Sequence, residues 1–135
     1  MSGSTGPSDR TVADALERVR SYCLGLPETT ERLSHGAPTF FVRDKKTFVM
    51  FHDDHHGDGR LALWCAAPPG VQGLMVDEDP RRFFVPAYVG HRGWLGLRVD
   101  VDVDWDEVGR VVEDAYRTVA PAKLLALLDA EADPD

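Results

Sequence analysis

The stretch WLGLRVDVDVDWDEV, residues 94–108, carries the two patterns that decide the fold. Apolar and polar residues alternate from Leu95 to Val103, which predicts a strand with one face in a core and the other open to water. Asp104 and Glu107 then have the spacing of a capping box, so a helix is predicted to begin there. A one-sided strand followed at once by a helix is typical of an antiparallel sheet that is covered by helices.

The pattern in the rest of the chain favours the same class of fold. The predicted elements are a helix over 11–26, strands over 39–43, 47–53 and 60–66, a short helix over 70–78, a helical turn over 80–84, the strand 94–103, a helix after Asp104 and a last helix after Pro121. We therefore predict an α+β two-layer sandwich. Its helices pack on one face of an antiparallel sheet, and the other face is open to water.

Length and composition indicate one domain. The chain has 135 residues, of which 43% are hydrophobic and 28% charged, as is ordinary for a protein with a single core. We predict a disordered lead-in over residues 1–9, a single domain over 10–130 and a frayed tail over 131–135. The N-terminus does not resemble a signal peptide and no apolar run could span a bilayer, so we expect a cytoplasmic protein. Cys23 and Cys65 are predicted to be buried free thiols.

The distribution of charge matters more than its sum. The net charge is −8 at pH 7, which by itself disfavours a partner rich in phosphates. Residues 1–98, however, hold 12 basic and 12 acidic side chains, whereas residues 99–135 hold 3 and 11. The acidic excess is confined to the C-terminal segment, so the rest of the chain is free to present a basic face.

Three histidines and three aspartates crowd the segment HDDHHGDG, residues 52–59, between two predicted strands. Imidazoles and carboxylates bind divalent metals, but an EF-hand that began at Asp54 would need glutamate where Cys65 stands. Glycine and aspartate are also residues that turns select. The segment is therefore predicted to be a hydrated hairpin turn, and neither a metal nor a cofactor is expected.

No catalytic motif is present in the sequence. A nucleophile elbow, a phosphate-binding loop and a zinc-protease helix all lack a match. His35 and His91 are the plausible acid–base groups, and neither has a nucleophile placed beside it. We therefore expect a protein that is not an enzyme, and we assign no catalytic residues.

Two longer segments, residues 34–51 and 81–124, resemble the MmcQ/YjbR-like family. The matching positions are His35, Gly36, Pro38, Phe40, Lys45 or Lys46, Pro86, Tyr88, Gly93, Trp94, Asp104, Trp105, Tyr116 and Arg117. The resemblance covers about residues 11–125, with two departures. Ala87 separates Pro86 from Tyr88, and the segment 52–59 is richer in histidine and aspartate than the family pattern requires. It implies a frataxin-like (CyaY-like) α+β fold, also described as a double wing, and the family label of DNA-binding protein. Some members occur beside antibiotic-biosynthesis genes, which implies a drug-binding or resistance role for those.

The DNA-binding hypothesis requires cations that can reach the phosphates of a duplex. The residues predicted to contact nucleic acid are Arg43, Lys45, Lys46, Arg81, Arg82, His91 and Arg92. Lys45 and Lys46 lie at a predicted hairpin tip, which can lie over the DNA backbone as a wing.

The alternative hypothesis is a small-molecule site on the same sheet face, for a natural product or another small aromatic ligand. Its predicted pocket residues are His35, Trp64, Tyr88, His91 and Trp94. Aromatic walls with few polar anchors are typical of ligand pockets. A continuous positive surface would favour DNA, and an aromatic cavity would favour the ligand.

Overall fold

The fold is described by a computed structural model, which places residues 9–132. The elements are α1 (Asp9–Leu24), β1 (Thr29–Ser34), β2 (Ala37–Val42), β3 (Lys46–Asp53), β4 (Leu61–Cys65), α2 (Val71–Glu78), β5 (Phe83–Phe84), β6 (Leu95–Arg98), α3 (Trp105–Val119) and α4 (Ala122–Ala132). The predicted lead-in and tail lie outside the described residues, except that Asp9, Glu131 and Ala132 are helical. None of the described helices is long and apolar enough to cross a membrane.

The six strands form one open sheet in the order β1-β2-β3-β4-β6-β5, and every neighbouring pair is antiparallel. Together with the four helices this confirms the predicted α+β class. Helices α1 and α3 pack against β3 and against each other. On that face of the sheet, Val49, Leu63 and Cys65 are fully buried. We call it the core face, and the opposite side the second face.

Helix α3 is fixed to the core face by a cap at its start and by an aromatic contact near its end. Asp104 accepts hydrogen bonds from the backbone N–H groups of Asp106 and Glu107, so the predicted N-cap is confirmed. Near the other end, the ring of Tyr116 meets Phe48 edge to face with 5.8 Å between centroids. Its hydroxyl donates to the carbonyl oxygen of Pro27 at 2.7 Å. The helix is thereby held to both the sheet and the chain after α1.

Both cysteines are buried free thiols, as predicted. Burial raises the pKa of Cys23, and it raises the pKa of Cys65 to about 12. Neither thiol is therefore a reactive thiolate at neutral pH.

The secondary structure differs from the prediction in three places. The polar segment TTERLS forms β1, which was not predicted because it lies at the sheet edge and has no buried apolar side. A turn is present at residues 80–82, where the backbone N–H groups of Arg82 and Phe83 donate to the carbonyl oxygen of Asp79, but it stops short of residue 84. Phe83 and Phe84 instead pair with Leu97 and Gly96 as β5. The long strand predicted over 94–103 ends at Arg98.

Asp100 explains why the last strand is short. Its carboxylate accepts hydrogen bonds from the Arg98 guanidinium at 3.0 Å and from the Leu61 backbone N–H at 3.3 Å. The alternating pattern continues to Val103, but the aspartates bend the chain rather than line an exposed strand face. At Asp102 the backbone is left-handed, with φ of 44°.

The second face is not open to water, which corrects the sequence interpretation. Thr39, Ala62 and Trp64 point to this side and are at most 3% exposed. The loop between β5 and β6 lies over part of this face, where Tyr88 and Val89 approach Trp64 across a cavity. The sheet face that was predicted to be open to water is therefore partly covered.

A close approach at Gly96 gives a test of this packing. A Cβ atom at position 96 would overlap three ring carbons of Phe84, so we expect Gly96→Ala to lower the free energy of unfolding by about 1–3 kcal/mol. Gly73, within α2, has open space around it, and Gly73→Ala should instead add about 0.5–1 kcal/mol. Urea unfolding of the two variants checks the pair, and equal effects would contradict the packing at Gly96.

Candidate ligand-binding site

A cavity of about 560 Å³ lies on the second face of the sheet. Its lining residues are Ser34, His35, Thr39, Met50, His52, His55, His56, Trp64, Tyr88 and Val89. We call this the sheet-face cavity. Its volume is within the range of sites that hold drug-sized molecules, about 300–1,000 Å³.

Strand register builds the floor of the sheet-face cavity. Thr39 pairs with Met50, and Met50 pairs with Trp64, so the three side chains stand in one row across β2, β3 and β4. The same row continues to Gly96 on β6, where the ring of Phe84 occupies the space of the missing side chain. His52 lies two residues beyond Met50 and therefore points to the same face. The floor is thus made of rigid sheet positions rather than of loops.

Rings form one wall of the cavity. The imidazole of His52 lies 3.9 Å from the Trp64 ring, and that of His55 lies 4.6 Å from it, measured between centroids. His55 also lies 4.2 Å from His56 and 5.9 Å from Tyr88. A chain of ring contacts therefore runs from the floor of the cavity to its outer edge at Tyr88.

Residues 54–59 of the segment form the predicted turn, which contains a short 3₁₀ helix over His55–Gly57, whereas His52 and Asp53 are the last residues of β3. The segment also has a second role. Asp54 accepts from the Gly59 backbone N–H at 2.7 Å, and Asp58 accepts from that of Arg60 at 2.9 Å. The aspartates thus stabilise the turn, while its histidines line the cavity. Across residues 9–132, no three histidine, cysteine, aspartate or glutamate side chains are grouped as a metal site requires.

Two polar atoms on this wall have no partner. The Nε2 of His52 and the Nε1 of Trp64 are buried, and no described group forms a hydrogen bond with either. Burial, together with the nearby His55 and His56, lowers the pKa of His52 to about 4 against the opposing effect of Asp58. His52 is therefore neutral at pH 7.

The rim of the sheet-face cavity carries an unusual backbone. His35, His56 and Tyr88 all have positive φ, at 53°, 50° and 63°, which non-glycine residues seldom adopt. Such conformations concentrate at ligand sites, where the surrounding structure holds them in place. The chain that follows Tyr88 is held by Gln72 on α2, since its side-chain amide donates to the carbonyl oxygens of Gly90 at 2.8 Å and Trp94 at 2.6 Å.

The structure brings together three of the five residues that were predicted for a pocket. His35, Trp64 and Tyr88 line the sheet-face cavity, whereas His91 is exposed and Trp94 is buried outside the lining. The sequence interpretation missed Ser34, Thr39, Met50, His52, His55, His56 and Val89. The signal for the three histidines was the crowded segment 52–59 itself, which was interpreted only as a turn.

Three of the seven residues predicted to contact DNA form ion pairs with carboxylates of the same chain. Arg43 binds Glu28 at 3.0 Å, Arg81 binds Asp102, and Arg82 binds Glu107 as well as Asp79. The carboxylates of Asp79 and Glu107 raise the pKa of Arg82. The guanidinium of Arg92 lies 5.3 Å from the Trp94 ring centroid. Lys45, Lys46 and His91 are exposed.

Comparisons with known proteins show the fold and the family of this chain. An α+β domain of the same architecture is found in the crystal structure of Deinococcus radiodurans protein DR2400, which contains the domain DUF419. The two share 17% sequence identity and a TM-score of 0.68, over 80% of each chain, which shows a common fold. The family model named YjbR matches residues 24–118, and the chain therefore belongs to the YjbR family. No curated protein matches the sequence.

Proposed function

We propose that this protein binds a small organic molecule in the sheet-face cavity and does not transform it. The observation that carries the proposal is a cavity of about 560 Å³ with one wall built of imidazole and aromatic rings that pack on one another. A concave site of this size, lined mainly by rings and apolar side chains, is typical of the places where small organic molecules bind.

The composition of the lining also supports binding. Ring and apolar side chains dominate it, with a few polar atoms placed among them, which is the usual character of a small-molecule site. The floor consists of strand positions, so the shape of the site is held by the sheet. Thr39, the threonine of the lining, donates its hydroxyl to the carbonyl oxygen of Ala37 rather than to a histidine, and both described cysteines are buried thiols. This is why we propose binding rather than catalysis.

The test is a thermal-shift screen of planar aromatic natural products, with each positive compound titrated by calorimetry. A ligand that binds only the folded state raises the melting temperature. Met50→Trp places bulk in the floor of the cavity, and we expect it to weaken binding of the positive compounds by about tenfold or more. Leu74→Trp is the matched control, because Leu74 is 58% exposed and outside the lining.

Two results would contradict the proposal. One is a screen in which no compound raises the melting temperature of the unmodified protein. The other is a set of positive compounds that bind Met50→Trp and the unmodified protein with equal affinity, since those compounds would then bind elsewhere. The folded state of each variant is checked first by its own unfolding curve.

Binding to double-stranded DNA and the frataxin-like comparison, both implied by the family resemblance, stay predictions. The DNA prediction is favoured by one observation, the exposed lysines Lys45 and Lys46 at the turn between β2 and β3. Neither of them forms an ion pair within residues 9–132. Most of the other predicted contacts are arginines already bound to carboxylates, so we place the small molecule first.

A salt series separates the two functions. If duplex DNA is a partner, its affinity should fall steeply between 50 and 200 mM salt, by about tenfold for every two phosphates contacted. The double variant Lys45→Ala, Lys46→Ala should then bind more weakly and show a shallower slope. If the protein binds a small molecule and not DNA, we expect no DNA binding whose affinity depends on salt and on Lys45 and Lys46.

A further inference from the structure

We infer that the sheet-face cavity binds an organic molecule while its imidazoles are neutral and releases that molecule when the pH falls. The inference rests on the proposed function and adds its regulation, because protons and the ligand compete for the same side chains. Three features support it, namely the concentration of histidines at the cavity, their contacts with one another and the placement of the neighbouring charges.

The histidines of this chain are concentrated at one site. Four of the five line the sheet-face cavity, namely His35, His52, His55 and His56, and His91 lies outside it. Within residues 9–132, the lining contains no aspartate, glutamate, lysine or arginine. Histidine is the side chain whose charge ordinarily changes between pH 5 and pH 8. Acidification therefore adds positive charge to this lining, and the lining itself holds no carboxylate to balance it.

Contacts between the imidazoles make their protonation and ligand binding compete. The ring centroids of His52 and His55 are 4.8 Å apart, and those of His55 and His56 are 4.2 Å apart. Charged imidazoles at such distances repel one another, and water around them lowers that repulsion. A ligand that packs against these rings takes the place of the water and so favours the neutral form. By linkage, protonation must then weaken the binding of the ligand.

The structure separates the histidine that stays neutral from those that can respond to pH. Burial, together with the nearby His55 and His56, keeps the pKa of His52 at about 4, so His52 is mostly neutral even at pH 5. His55 is half-buried, whereas His35 and His56 are exposed and open to protons from the solvent. The rings of His55 and His56 both contact Tyr88 at the outer edge of the cavity, with 5.9 and 6.4 Å between centroids. These two turn histidines are therefore the main groups at which protons and a ligand compete.

The neighbouring charges lessen this competition without removing it. Beyond the lining, the charged or titratable groups on the surrounding elements are Asp53 of β3, Asp54 and Asp58 of the turn, Arg60 before β4, and His91 and Arg92 of the loop between β5 and β6. Asp58 favours a protonated His52, but its effect is smaller than those of burial and of His55. All three aspartates are exposed, so water screens their charges. The two arginines are themselves positive and offer no counter-charge to an imidazolium.

The test is a fluorescence titration of the unmodified protein with Nile red at several pH values from 7 to 5. Nile red is uncharged over this range and fluoresces strongly in apolar surroundings, so a change in affinity reports on the protein. We expect the dissociation constant to rise about tenfold from pH 7 to pH 5, the effect of about one proton that competes with each bound dye molecule. Circular dichroism at each pH checks the fold, and a return to pH 7 should restore binding.

Variants of the turn histidines identify the groups that respond. In the double variant His55→Gln, His56→Asn neither position can gain a proton, so the rise in the dissociation constant should fall to about twofold or less. Asparagine suits position 56, where φ is 50°, because it tolerates a left-handed backbone. His91→Gln is the matched control, since His91 is exposed and outside the lining, and it should keep the tenfold rise. The two single variants, each with a reduced rise, replace the double variant if it does not fold.

The outcomes distinguish this inference from the proposed function. A dissociation constant that stays equal or falls from pH 7 to pH 5, or a rise that persists in the double variant, overturns the inference while binding in the cavity stands. Equal affinity of Nile red for Met50→Trp and the unmodified protein would mean that the dye binds elsewhere. In that case, or if the dye does not bind at pH 7, the uncharged positive compounds of the screen take its place in the same titration. A screen without positive compounds ends both the proposed function and this inference.

Discussion

Replacing Tyr116 by alanine should lower the free energy of unfolding by about 3–5 kcal/mol, the cost of deleting a large buried ring. Tyr116 is fully buried on α3, and its ring packs edge to face against Phe48 of β3. Its hydroxyl also donates to the carbonyl of Pro27, which would lose a partner. The variant therefore removes a contact that joins α3 to both the sheet and the chain after α1. Urea unfolding followed by tryptophan fluorescence measures the effect.

Two further variants show how much of this loss of stability comes from the buried ring and how much from the hydrogen bond. Tyr116→Phe keeps the ring and removes only the hydrogen bond to Pro27, so a loss of about 1 kcal/mol is expected. Tyr88→Ala is the matched surface control, because Tyr88 is 72% exposed and should lose about 0.5 kcal/mol or less. A loss below about 2 kcal/mol for Tyr116→Ala would mean that α3 does not depend on this residue for its position.

Lowering the pH from 7 to 5 should destabilise the protein through His52 by about 1–2 kcal/mol. The pKa of His52 is about 4 in the folded protein, below the ordinary value of 6.5 that it has when unfolded. The unfolded state therefore binds more protons between these two values, and stability rises with pH across that window. Above pH 6.5 the contribution is complete, and below pH 4 it is lost. Unfolding curves at several pH values measure the slope.

The variant His52→Gln isolates the contribution of this one imidazole. It cannot titrate in this range, so its stability should fall less than that of the unmodified protein between pH 7 and pH 5. His91→Gln controls for the loss of a histidine, because His91 is exposed and lies outside the cavity. If His52→Gln and the unmodified protein lose equal stability over this range, His52 is not the titrating group.

The elements that the sequence predicted well are those whose signal is local. The Asp104 cap and the apolar stripe of α3 are set by nearest neighbours along the chain, and both are confirmed. The edge strand β1 was missed because its stabilisation comes from β2, a partner that its own polar residues do not reveal. The end of β6 was misplaced for a related reason, since Asp100 turns the chain by bonding to Leu61, 39 residues away.

The candidate site was only partly predictable, because cavities depend on what folds over a surface. Trp64 was placed on the correct face by alternation, and Tyr88 was selected through the family pattern. The histidines of segment 52–59 have the composition of a solvated turn, and nothing local indicates that the turn folds back onto Trp64. That contact follows from the register of β3 and β4, which pairs Met50 with Trp64 and so brings His52 close to the indole.

The alternation of side chains along β3 and β4 has a consequence for how this protein can change. Val49, Leu63 and Cys65 belong to the core face, whereas Met50, His52 and Trp64 belong to the cavity, although both sets share the same two strands. Mutations at alternate positions therefore meet different surroundings, the packing against α1 and α3 on one side and the sheet-face cavity on the other. Substitutions at Met50 or His52 can thus reshape the cavity while Val49, Leu63 and Cys65 keep the sheet attached to its helices.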